Sequence, residues 1–123
     1  MRSVDVDEIL RGGALEVVPY AHIARANGQV IALTPRELDL LATLMRHPER
    51  VLARELLFEV SWGRAMVPGD RAVDVYVRKL RAKLDRALPG WQFIHTHYRL
   101  GYRFSPTLRG VAAPEEVTAQ RAR

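Results

Sequence analysis

Not one of the 123 residues is cysteine. That excludes disulfides and thiolate metal sites and agrees with a reducing compartment. No apolar run approaches the length of a membrane span. The N-terminal MRSVDVDEIL is too acidic, and its apolar stretch too short, for a signal peptide. A cytoplasmic protein without membrane contact is expected. Also absent are a Gly-rich phosphate loop, a nucleophile elbow and a catalytic carboxylate pair. Neither an enzyme nor a cofactor is therefore expected. His95 and His97 alternate on one strand face, but nothing supplies a third ligand at useful spacing, so no metal site is expected.

What is present suits one folded domain. Hydrophobic residues make up 48% of the chain, enough to build a core without staples. The net charge of +5 is unevenly placed. Residues 71–104 hold eight Lys/Arg against Asp74 and Asp85, a net +6 that leaves about −1 for the rest. A positive field confined to one segment favours a polyanionic partner over general solubility.

That segment begins with RAVDVYVRKLRAKLDRAL, residues 71–88. Val73, Val77, Leu80, Leu84 and Leu88 recur at steps of three and four, which predicts a helix with one apolar stripe. Arg71, Val75, Arg78 and Lys79 fall on another face, with Arg81, Lys83 and Arg86 at its margins. A basic amphipathic helix is either a solvated surface or a nucleic-acid-binding one, and the helix alone does not decide.

Its neighbours give the context. Residues 1–13 show no clear strand or helix pattern and read as a tail or linker ending at Gly12-Gly13. Leu15 to Val18, His22 to Ala26 and Val30 to Leu33 read as short strands, the last two joined by the hairpin signal Asn27-Gly28. Thr34-Pro35-Arg36-Glu37 has the form of a capping box opening a helix that buries Leu38, Leu41, Leu44 and Met45 and ends at His47-Pro48. A second helix, Arg54 to Val60, is expected to bury Leu56, Leu57 and Val60, with Trp62 anchoring the turn beyond it. Gly63 to Asp70 reads as a loop, and Asp70 can cap the basic helix. Pro89-Gly90 ends that helix, and Trp91 to Thr96 and Arg99 to Phe104 form a second hairpin. The domain is expected over 14–105, with 106–123 a flexible tail.

Strands, three helices and a basic hairpin in this order make a winged helix-turn-helix of the α+β class. The segments LTPRELDLLATLMRHPERVLARELL, VSWG, RAVDVYVRKLRAKL and FIHTHYRLGYRF resemble the OmpR/PhoB-type effector domain of bacterial response regulators, over residues 15–105. The resemblance implies a sequence-specific transcriptional regulator of a two-component system that binds double-stranded DNA. Helix 71–88 would lie in the major groove, and a wing at 93–104 would reach the minor groove. Carried over position by position, Arg71, Val75, Tyr76, Arg78, Lys79, Arg81, Thr96, Arg99 and Arg103 fall on DNA-facing positions. Val75 suits a thymine methyl, Arg78 and Lys79 a guanine edge or phosphate, Arg71 and Arg81 phosphates, and Thr96 the backbone. The loop before the basic helix faces RNA polymerase in activators of the family, which points to Met66 and Val67 as exposed contacts. Family members bind direct repeats head to tail, so a monomer that pairs on DNA is expected.

Several positions depart from the family pattern. The wing usually reads Thr, apolar, Arg, Gly; here it is Thr96, His97, Tyr98, Arg99, which moves the arginine and removes the wing-tip glycine. Arg99 is the expected minor-groove residue, with Tyr98 the alternative. Ala53 stands where the second helix usually opens with Ser or Thr, and Tyr76 where His is frequent. Only 14 residues precede the first expected strand, so no receiver domain, which takes well over ~100 residues, is expected within this sequence, whether it is an excised effector domain or a protein that lacks a receiver.

Overall fold

In a computed structural model, residues 5–110 are described. Four short strands come first: β1 (Leu10–Gly12), β2 (Leu15–Val18), β3 (Ile23–Ala26) and β4 (Gln29–Ile31). They form an antiparallel sheet in sequence order. The β3–β4 turn is the expected one, with Asn27 at φ 50° and Gly28 at φ 82°. Three helices follow, α1 (Pro35–Arg46), α2 (Arg54–Trp62) and α3 (Ala72–Ala87), with the two-residue strand β5 (Val51–Leu52) between the first two. The chain then makes the hairpin β6 (Trp91–His97) and β7 (Gly101–Leu108), and β7 lies between β5 and β6 in a second sheet. Among the described residues no helix is long and apolar enough to cross a membrane.

The core sits where α1, α2 and α3 meet both sheets. Leu15, Val17, Ala24 and Ala26 cover it from the first sheet, and Phe93, Ile94, Tyr102 and Phe104 from the second. The first helix opens as expected. Thr34 Oγ1 accepts the Glu37 N–H at 3.2 Å, and Glu37 Oε1 accepts the Thr34 N–H at 2.8 Å.

Three expectations change. Residues 10–12 are not tail: Leu10, Arg11 and Gly12 pair with Val17, Glu16 and Leu15. A side chain at Gly12 would run into the Phe104 ring, so glycine there lets β1 lie against the second sheet. At the other end β7 runs to Leu108, so 106–108 belong to the sheet, while 111–123 lie outside the described residues. In α2, Leu57 and Phe58 are buried, whereas Leu56 and Val60 are 44% and 53% exposed. The run Leu56-Leu57-Phe58 leaves the phase of a nine-residue helix open. The stack of Trp62 on Phe58, with centroids 4.7 Å apart, accompanies the phase that turns Leu56 and Val60 outward.

Candidate nucleic-acid interface

Helix α3 follows the loop at Gly63 to Asp70. Asp70 Oδ1 accepts the Ala72 N–H at 2.8 Å, one position ahead of the N-cap Arg71, whose own side chain makes no cap bond. Val73, Val77, Leu80 and Leu84 are buried, so the apolar stripe seats the helix as its spacing predicts. The opposite face carries Arg71, Arg78 and Lys79, all exposed, with Val75 and Tyr76 half-buried beside them. Tyr76 meets Trp62 edge-on at 5.4 Å, and Lys79 Nζ stands 5.1 Å from the Tyr76 ring centre. The aromatic row Phe58, Trp62, Tyr76 thus ties α2 to α3 and ends under a surface lysine.

The margins of the helix are used differently. Lys83 turns inward, its ammonium 2.7 Å from Glu37 Oε1. Arg81 is half-buried and bridges to β6: Nη2 donates to Ile94 O at 2.9 Å and to Thr96 Oγ1 at 2.7 Å. Burial lowers the Arg81 pKa below the usual guanidinium value. Arg81 and Thr96 therefore form one bracket between the helix and the wing.

The wing has two faces. Thr96 pairs with Tyr102 in register, and both lie toward α3; His95 pairs with Arg103 on the other face. Arg103 donates through Nε to His97 Nε2 at 2.9 Å and through Nη1 to Glu49 Oε1 at 2.9 Å. It is thus separated from Thr96 and from the open face of α3 by the thickness of the sheet. Desolvation, then the Arg103 charge, then His95, lowers the His97 pKa below its ordinary value. His95 Nε2 sits 2.8 Å from Ser105 O, so both imidazoles already have partners. No cluster of three or more His, Asp or Glu suited to a metal occurs among the described residues. Arg99, expected to begin a strand, lies in the turn at φ 67°, with Leu100 N–H donating to His97 O at 2.8 Å. Its guanidinium stands 5.2 Å from the ring centre of the exposed Tyr98. In the preceding loop Val67 is 60% exposed, but Met66 packs against the core and is not the exposed contact expected.

Three residues absent from the sequence-derived set, Arg54, Asp74 and the buried Tyr102, lie at or beneath this surface. Asp74, on α3, accepts from Tyr102 Oη and Arg54 Nε, each at 2.6 Å, and from Arg71 Nε at 3.0 Å. Burial would raise the Asp74 pKa, but the bonds from Tyr102, Arg54 and Arg71 outweigh it and hold the pKa below its ordinary value. Burial and the bond to Asp74 raise the Tyr102 pKa. The available signal was a lone acid in the first turn of a basic helix.

Residues 28–104 match the model of the family described as "Transcriptional regulatory protein, C terminal". Two similar proteins are the DNA-binding response regulator MtrA of Mycolicibacterium smegmatis, 37% identical over 99 residues, and the phosphate regulon transcriptional regulatory protein PhoB of Escherichia coli K12, 37% identical over 102. The matches cover 80% and 81% of this chain but only 43% of either relative, so the chain spans less than half their length. Among solved structures, the DNA-binding domain of CpxR from E. coli superposes with a TM-score of 0.74 at 31% identity, covering 80% of this chain and 97% of that one. The Klebsiella pneumoniae RstA DNA-binding domain, solved in complex with the RstA box, gives 0.73 at 28% identity, covering 81% and 99%.

Proposed function

This chain belongs to the family of transcriptional regulatory protein C-terminal domains, and on that premise we propose that it binds double-stranded DNA sequence-specifically to regulate transcription. One observation carries the reading. Arg78 and Lys79 stand exposed on the face of α3 opposite its buried stripe, and none of the ion pairs among the described residues uses them. Cations held on a rigid helix without an ion-pair partner among the described residues suit base edges and phosphates in a major groove. Arg71 and Val75 extend this surface, and Tyr76 supports it from the side. Arg81 and Thr96 set the wing against the helix. Arg99, with Tyr98 beside it, is the wing-tip candidate for the minor groove, and Arg103 braces the wing from its far face.

The role is binding rather than catalysis, in the cytoplasm, within a two-component pathway. The partner is duplex DNA bearing direct repeats, on which monomers pair head to tail. A contact with RNA polymerase through the α2–α3 loop would rest chiefly on the exposed Val67, with Met66 beside it half-buried against the core.

Selection from a random duplex pool, followed by fluorescence titration on the recovered sites over a range of salt, tests this. Binding should weaken steeply with salt, by a logarithmic slope of about 0.9 per phosphate contacted. Recovery of no preferred sequence, or binding indifferent to salt, would sink the reading.

A further inference from the structure

Asp74 is an acid on the basic helix α3, within the segment 71–104 that carries a net charge of +6. A carboxylate beside a polyanion-binding face opposes binding by simple repulsion. Both of its oxygens are nonetheless engaged, by donors from three elements. Arg54 comes from the first turn of α2, Arg71 from the N-cap of α3, and Tyr102 from β7. Arg54 and Arg71 each meet the carboxylate through Nε, which leaves their Nη donors for a second acceptor. The Tyr102 ring is flanked by two guanidiniums, Arg54 at 5.0 Å and Arg81 at 5.4 Å, and Arg81 continues to Thr96 on β6. One carboxylate therefore joins the start of α2, the start of α3 and the root of the wing.

We propose that Asp74 is a positioning residue for DNA recognition: it holds Arg54 and Arg71 as a paired clamp for a backbone phosphate and, through Tyr102, sets the angle between α3 and the wing. This rests on the reading of α3 as a DNA-binding helix and adds Arg54 to its contacts. Guanidiniums tethered to a shared carboxylate have already lost much of their rotamer freedom, so a phosphate meets a formed site instead of ordering two long side chains.

The sign of one substitution separates positioning from plain charge. Asp74→Asn removes a negative charge at nearly constant shape. If the acid only repels DNA, the variant binds more tightly. If it positions the arginines, affinity falls about tenfold, the loss expected for charge-assisted bonds no longer held. The salt slope then drops by about 0.9 for each phosphate contact released. Tyr102→Phe changes no charge and keeps the ring. It should weaken binding several-fold at unchanged salt slope and shorten the hydroxyl-radical footprint on the wing side. Arg54→Lys keeps the charge but loses Nε, and should weaken binding with no change in preferred sequence.

The probe is the duplex selected by the unsubstituted chain, and thermal melting reports folding of each variant. Equal or tighter binding by a folded Asp74→Asn overturns the proposal. Where that variant does not fold, unchanged affinity and footprint in both Tyr102→Phe and Arg54→Lys overturn it. Failure of the unsubstituted chain to bind any duplex removes the DNA-binding reading itself, a different result from tighter binding by the asparagine variant.

Discussion

The ammonium of Lys83 lies 2.7 Å from a Glu37 carboxylate that belongs to a residue only 1% exposed. The same oxygen, Oε1, also accepts the Thr34 N–H that closes the α1 capping box. Lys83 therefore neutralises a buried charge and does not join the open basic face of α3. Burial would raise the Glu37 pKa, but the bonds from Lys83 and Thr34 outweigh it and hold it below the ordinary carboxylate value. Lys83→Met should cost about 3 kcal/mol, because it strands a buried carboxylate. Chemical denaturation measures this, and combining it with Glu37→Gln should recover part of the loss.

Arg78 and Lys79 should behave in the opposite way. Both are exposed, so Arg78→Ala with Lys79→Ala should change stability by no more than about 0.5 kcal/mol per site. DNA affinity should nevertheless fall at least about tenfold with loss of site preference. A titration showing selection intact in the double variant would move the reading face elsewhere on the domain.

The wing tip separates two backbone requirements. Arg99 sits at φ 67°, a left-handed conformation that costs a side-chain-bearing residue about 1 kcal/mol. The family pattern has glycine at this place, and Arg99→Gly should raise the melting temperature while removing a cation from the tip. Gly101 is stricter: its φ is 145°, and a Cβ there would collide with the Leu52 carbonyl oxygen. Gly101→Ala should destabilise by more than about 3 kcal/mol, by forcing apart the β5–β7 pairing. Melting curves of the two variants should move in opposite directions.

The His97–Arg103 bond predicts a pH effect. His97 accepts this bond through Nε2, so it is neutral there, and its folded pKa lies below the unfolded value of about 6.5. The unfolded chain then binds more protons, so stability rises with pH. The contribution is full above about pH 7 and is lost as pH falls below 6.5 through the folded pKa. Of the groups around it, Arg103 and His95 add to this sense, while Glu49 meets Arg103 from the other side. The drop in melting temperature between pH 7.5 and 5.5 should shrink in His97→Gln. An equal drop in both proteins would assign the effect to other groups.

Local rules reach some of these features and not others. The Thr34–Glu37 box, the Asn27-Gly28 turn and the buried stripe of α3 are legible in the chain because each depends on residues within a few positions of one another. The basic face of α3 is legible for the same reason: helical period alone places Arg78 and Lys79 opposite Val73, Val77 and Leu80. The phase of α2 is not, because a nine-residue helix with apolar residues on more than one side is oriented by whatever packs on it. Nor is the strand at Leu10–Gly12, which forms only where a partner edge and the Phe104 ring receive it.

For the site, the chain determined which residues carry charge, and tertiary structure decided which charges are free. Lys83 meets Glu37 across 46 positions, Asp74 meets Arg54 across 20 and Tyr102 across 28. Cations in one helix look alike in sequence. Partners that distant, brought together by burial of the shared core, turn Arg81 and Lys83 into structural brackets and leave Arg78 and Lys79 open to solvent.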